Sequence, residues 1–201
     1  KSFKKAATQT FDVAESRETV DISIKKGKYR AMRIVVTDGI NGYATAAEIG
    51  FIGSGASSES KTETETKPET NSDSLLSERA YEYDAFWMIE ASSDKSTSIG
   101  KAFDGDTSTY WHTNYTVGED GKNIIEPCPH TVTVTFPEAL EIEGIRYIPR
   151  QMTEQDRSAS GIWKAADFYG SVDGKNYEKI GSSAFDVVSS RNASDVKIKA
   201  G

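Results

Sequence analysis

Polar and apolar residues alternate strictly over 131–136, TVTVTF, which puts Val132, Val134 and Phe136 on one face of an extended strand. Residues 142–148, 165–172 and 30–36 (RAMRIVV) read as further strands. Between them lie the turn dipeptides Asp38-Gly39, Asn41-Gly42 and Asp173-Gly174, and Pro137 and Pro149 mark expected strand ends. Residues 74–81, SLLSERAY, predict one short helical turn. Short strands separated by turn residues predict an all-β sandwich.

The apolar pattern stops over 54–74, SGASSESKTETETKPETNSDS, a run of Ser, Thr, Glu and Lys that cannot bury enough surface to order itself. It divides the chain into 1–53, a linker at 54–74, and 75–201. The outer parts share a repeat. Residues 11–27, FDVAESRETVDISIKKG, and 185–201, FDVVSSRNASDVKIKAG, match at nine of 17 positions without a gap, at a constant offset of 174. The expectation is a piece of a larger protein with similar domains in tandem, 1–53 supplying the closing strands of one copy. The linker spans roughly 70 Å when extended, against a radius of gyration of about 15 Å for a domain of this size. Residues 1–53 are therefore expected to complete the domain at 75–201, within the chain or by strand exchange between chains, because open strand edges are costly. The other reading leaves 1–53 as a tail.

Composition narrows the function. The net charge is −7 and the isoelectric point about 5.0, which argues against nucleic acid and weighs against anionic membrane. Cys128 is the one cysteine, so no intrachain disulfide forms, and a bacterial source fits better than a disulfide-rich extracellular one. With two histidines, one cysteine and scattered carboxylates such as Glu138 and Glu141, no hydrolytic triad or metal-hydrolase cluster forms, so the chain reads as non-catalytic.

The most informative stretch is 101–115, KAFDGDTSTYWHTNY. Asp104, Asp106 and Thr109 gather oxygen atoms around a glycine turn, as a hard cation requires, although such loops are also ordinary turns. Together with WMIEASS at 87–93, PHTVTVTF at 129–136, EGIRYIPRQ at 143–151, GIWKAADFYGSVDGKNYEKI at 161–180 and YRAMRIVVTDGINGYATAAEIGF at 29–51, it resembles the discoidin, or coagulation-factor 5/8 C-type, family, and within it carbohydrate-binding module family 32.

That resemblance implies a galactose-binding-like jelly-roll sandwich with one structural calcium. The calcium would be held by the Lys101 carbonyl, Asp104, Asp106 and Thr109, together with Ala47 and Glu48 from the AAEI motif. It also implies a sugar site at His112, Tyr115 and Arg150, where imidazole and guanidinium donate to sugar hydroxyls and a ring stacks on the sugar. Asp94 is the nearest acidic candidate. Ser160-Gly161-Ile162-Trp163 replaces the Asn-Gly that relatives often carry, and Trp163 is a substitute stacking surface. Trp87 and Trp111 read as core, and His130 as fixing the start of its strand. The insertion 116–128 is either one wall of the site or a longer loop. The implied function is a secreted or cell-surface module of a glycan-degrading enzyme, binding glycans that end in galactose or N-acetylgalactosamine. The alternative is an adhesion or lipid-binding discoidin domain.

Overall fold

The computed structural model describes residues 17, 19–53, 81, 83–151 and 158–185. The linker at 54–74, the repeated segment 186–201 and all but the last residue of the expected turn at 74–81 lie outside them. Ten strands are described: β1 (Val20–Gly39), β2 (Thr45–Ala46), β3 (Glu48–Ile52), β4 (Met88–Ala91), β5 (Trp111–His112), β6 (Tyr115–Val117), β7 (Asn123–Ile125), β8 (His130–Ile148), β9 (Trp163–Ser171) and β10 (Glu178–Ala184). The fold is an antiparallel β-sandwich completed by strands of the N-terminal segment.

Two long strands organise it. The second half of β1 lies between β8 and β9, with Ile34 opposite Val132 and Phe168. The first half of β1 pairs with the second half of β8, from Val20 opposite Tyr147 to Tyr29 opposite Leu140. The main sheet runs β10-β9-β1-β8-β3, and β4 pairs with the first half of β8. Each long strand thus serves two regions of the sandwich. The register breaks between Tyr29 and Ala31, opposite residues 136–139 of β8, where the strands bend.

That break corrects one expectation. Pro137 does not end a strand; β8 runs through it from His130 to Ile148. Proline has no amide hydrogen to give a ladder, and at this irregularity none is needed.

Alternation explains the core. Met32, Ile34 and Val36 of β1 face Val132, Val134 and Phe136 of β8 and Ala166 and Phe168 of β9, all buried. Ile142, Ile145 and Tyr147 from the second half of β8 join Ile49 and Phe51 of β3. The rings of Trp87, Phe51 and Phe136 meet at 4.9–5.7 Å, edge to face at Phe136 and tilted between Phe51 and Trp87. Each such buried side chain contributes about 1.5–3 kcal/mol of apolar transfer. His130 is buried at the start of β8 and bonds the Gly42 carbonyl through Nε2 at 3.3 Å. Gly161 has φ +88, and a Cβ there would lie 2.4 Å from the Thr45 side chain. Only glycine lets this turn lock onto the N-terminal segment, where Gly161 N donates to the Ile40 carbonyl and Thr45 N to the Gly161 carbonyl.

Candidate functional site

At one end of the sandwich the short strands β2 and β5 pair, Thr45 opposite His112 and Ala46 opposite Trp111. Trp111 points into the core, fully buried, and donates Nε1 to the Ser93 carbonyl. Strand alternation then turns His112 outward. Its amide donates to Ser98 Oγ, which in turn donates to Asp94 Oδ1 at 2.9 Å. Asp94 also accepts the amides of Ser98 and Ile99. Its two oxygens are thus engaged in shaping the loop behind His112, so Asp94 is a positioning residue here.

Four more side chains gather around the His112 ring. Tyr43 and Tyr115 meet it edge to face, with centroids 5.1 and 5.4 Å away, and Tyr110 lies at 6.4 Å. The Arg150 guanidinium sits 4.2 Å over the Tyr110 ring. The expected residues His112, Tyr115 and Arg150 are therefore brought together, although Arg150 itself is largely buried. Trp163 is not with them. It is fully buried and stacked on Tyr147 at 3.9 Å, 7° from parallel, so it packs the core and offers no face to a ligand.

Electrostatics define the donor pattern. Burial pulls the His112 pKa below 6.5; the Thr113 carbonyl opposes the shift, and the Arg150 and Lys95 cations add to it. Nδ1 lies 2.7 Å from the Thr113 carbonyl, which only accepts, so Nδ1 carries the proton. The exposed face of a neutral His112 then presents Nε2 as an acceptor, not the donor expected from sequence. Burial likewise lowers the pKa of Arg150, with Tyr110 and Tyr115 opposing.

Two residues here escape sequence reasoning. Tyr43 comes from the N-terminal segment; its hydroxyl accepts from Asn123 Nδ2 at 3.0 Å. Lys95 donates Nζ to the Tyr115 carbonyl at 2.6 Å and lies 4.2 Å over the Tyr115 ring. Tyr43 lies within the closing stretch 29–51, and Lys95 adjoins Asp94, but neither carries a spacing signal. The insertion 116–128 contains most of the β6–β7 hairpin, which reaches Tyr43 through Asn123 and forms a wall beside this cluster.

The loop between Phe103 and Tyr110 makes a second cluster. Asp104 accepts the Asp106 amide at 2.9 Å and the Thr109 hydroxyl at 2.7 Å. Asp106 directs its carboxylate to the amide and hydroxyl of Ser108, which lower its pKa. Glu48, at the first position of β3, meets this loop. Its pKa is raised to about 7, by burial first and then by a hydrogen bond with Asp104 and that group's negative charge, against the amides of Gly105 and Asp106. Glu48 Oε1 is buried with no hydrogen-bond partner among the described residues. Ala47 is buried beside it, and Lys101 is exposed on the turn Ile99–Ala102. No three Asp, Glu, His or Cys side chains converge among the described residues, so any cation here would draw on carbonyl and hydroxyl oxygens as well as the two carboxylates.

A groove of about 590 Å³ crosses the outer sheet face beside Arg33, Glu90, Tyr169 and Tyr177, and a cavity of about 280 Å³ borders Glu48 and Gly105.

Comparison with known proteins places the fold. Two galactose oxidases from Gibberella zeae are each 32% identical over 92 residues, which is 45% of this chain and 12% of theirs. The chain thus spans only about an eighth of the curated relatives it matches. The F5/8 type C domain family matches residues 88–200, over half the chain, beginning at β4 and leaving β1–β3 outside the match. This chain belongs to the F5/8 type C domain family, whose members are generally non-catalytic modules that bind carbohydrates or other ligands.

Proposed function

We propose that the chain is a non-catalytic module that binds terminal galactose or N-acetylgalactosamine on glycans and anchors a secreted glycan-degrading enzyme. The convergence of His112, Tyr110, Tyr115 and Arg150 on one exposed end carries this reading. Neutral His112 accepts a hydroxyl through Nε2, the Arg150 guanidinium donates, and a tyrosine ring covers the apolar face of the sugar. The matched relatives are named for galactose, in keeping with the sugar class. The two copies of the 17-residue segment fit a tandem array, in which weak single-site affinity is raised by avidity.

Calcium fits the second cluster. The orphaned Glu48 oxygen beside the Asp104 carboxyl is a pair of acids short of a cation. Glu48 and Asp104, with the Thr109 hydroxyl and neighbouring backbone carbonyls including those of Ala47 and Lys101, would hold it. Asp106 would have to turn away from Ser108 to join. The ion would tie the loop to β3 and has no chemical role beyond that.

Lipid binding is the second reading, because Val117 and Ile124 are exposed on the β6–β7 hairpin. Glu119 and Asp120 at the same tip oppose it on anionic membranes. An NMR titration with galactose decides between them. Shifts at residues 110–115 that vanish in His112→Ala support the sugar site; pelleting with phosphatidylserine vesicles and no shift with any galacto sugar would sink it.

A further inference from the structure

A row of outward-facing side chains crosses four strands of the main sheet. Glu90 of β4 stands opposite Thr133 of β8, Thr133 opposite Arg33 of β1, and Arg33 opposite Tyr169 of β9. The residues flanking it along the strands, Val132, Val134, Ile34 and Phe168, are buried, so alternation turns this row away from the core. The row lines the groove of about 590 Å³, a volume in the range of ligand sites. Three inter-strand spacings make it about 14 Å long, the length of a short chain of sugar rings rather than of one ring.

The two charges of the row are held apart. Arg33 lays its guanidinium 3.8 Å from the centre of the Tyr177 ring and donates Nε to Thr133 Oγ1 at 3.3 Å. The planar fork is thus fixed in orientation, and its Nη nitrogens make no hydrogen bond among the described residues. Glu90 is exposed two strands away and makes no ion pair among the described residues. The neighbouring charges on the same face, Asp167 and Lys179, do pair with each other, at 2.8 Å.

The rest of the lining is amphipathic. Tyr169 and Tyr177 give ring surface at one end, and Thr131 and Thr133 give hydroxyls towards the other, with Val35 between them. A saccharide has the matching two aspects: C–H faces that pack on aromatic rings, and hydroxyls that both give and accept hydrogen bonds. Glu90 repels an anionic chain and Arg33 a cationic one, so the balance favours a neutral ligand. The backbone groups beneath the groove are engaged in the sheet ladders, so an extended peptide finds no open edge there to pair with.

We propose that this groove is a second carbohydrate site, which takes an internal stretch of neutral glycan across β4, β8, β1 and β9. Arg33 donates to sugar hydroxyls, Glu90 accepts from them, and the tyrosines cover an apolar sugar face. The groove stands without the terminal-sugar site at His112. Together the two let one domain hold glycan both at a chain end and along a chain.

NMR titration of the full chain carrying His112→Ala, with neutral galacto-, gluco-, manno- and xylotetraose in turn, reads the groove alone. At least one of these should shift amides 33–35, 131–133 and 167–169. Arg33→Ala should weaken that binding about tenfold or more, the scale of hydrogen bonds from a charged group. Glu90→Gln, at an exposed position outside the core, should weaken it about fivefold. Tetrasaccharides that move no amide in the groove, or whose shifts survive both substitutions, overturn the proposal. In the parent chain, tetrasaccharides that move the groove while galactose leaves 110–115 unmoved sink the terminal-sugar reading and support this one.

Discussion

The carboxyl of Glu48, at the head of β3, lies against that of Asp104 in a loop on the other side of the linker, with Glu48 Oε1 buried and unpartnered among the described residues. Two acids meet in this way at a cost unless a proton or a cation joins them. Added calcium should therefore raise the melting temperature. At 100 times the dissociation constant the gain is about 2.7 kcal/mol, a rise of about 5–11 °C for a domain of this size. Glu48→Gln and Asp104→Asn should each abolish the calcium-dependent part. A thermal shift unchanged by calcium or by chelator in the parent chain would remove the ion from the proposal.

Without calcium, the same pair sets a pH dependence. Glu48 has its folded pKa raised from 4.5 to about 7, so the folded chain binds more protons than the unfolded chain between those values. This contribution is present below pH 4.5 and is lost as pH rises through 7. Because the group is only about half buried, screening holds it to about 1–2 kcal/mol. Urea unfolding in chelator should show the parent losing that much relative to Glu48→Gln between about pH 5 and 7.5. Saturating calcium should reverse the sign, since ligation needs the ionised pair. Parallel pH profiles for parent and variant would contradict the placement of Glu48.

His112 gives a second, opposite profile. Its folded pKa lies below 6.5, so the ring is neutral at pH 7 and Nε2 is open to accept. Galactose affinity should be flat from about pH 6.5 to 8 and fall as the solution is acidified below the depressed pKa. His112→Ala should weaken binding about tenfold or more, the scale of one buried hydrogen bond and its contact area. Affinity that rises on acidification would mean the protonated ring is the binding form.

Arg150 is testable apart from its charge. Arg150→Lys keeps a cation but loses the planar fork over Tyr110, and is expected to cost about 1.5–3 kcal/mol in sugar binding, the range for hydrogen bonds to charged groups. Calorimetry showing equal affinity would exclude a bidentate contact from this residue.

Trp163 separates core from site. Trp163→Ala should destabilise the domain by about 3–5 kcal/mol, because its ring is stacked on Tyr147 inside the core. Trp163→Phe should leave galactose affinity unchanged within about twofold, since the fully buried Trp163 ring offers no face to the sugar and phenylalanine keeps an aromatic ring in the core. A loss of affinity in a folded Trp163→Phe variant would restore the stacking role that its position along the chain suggests.

Much of this is readable along the chain. The alternation of 131–136 identifies the first half of β8, and the dipeptides Asn41-Gly42 and Asp173-Gly174 mark turns that have glycines at φ +77 and +75. The family motifs single out His112, Tyr115 and Arg150 together, and the fold gathers these three at one end of the sandwich. Three things are not readable. Pro137 looks like a strand end because local sequence does not reveal that β8 bends there. Trp163 looks available because burial depends on Tyr147 and Phe185 folding over it. The tautomer of His112 is set by the Thr113 carbonyl, whose direction is a property of the backbone path.

Local pattern, period and turn chemistry by themselves determined that this chain is all-β and that it repeats a 17-residue stretch. These depend on neighbours a few residues apart. Which half of β8 the N-terminal strand pairs with, that Tyr43 stands beside His112, and that Glu48 meets Asp104 were decided only in three dimensions. Contacts across a linker follow from the closure of the whole sandwich, and no spacing along the chain encodes them.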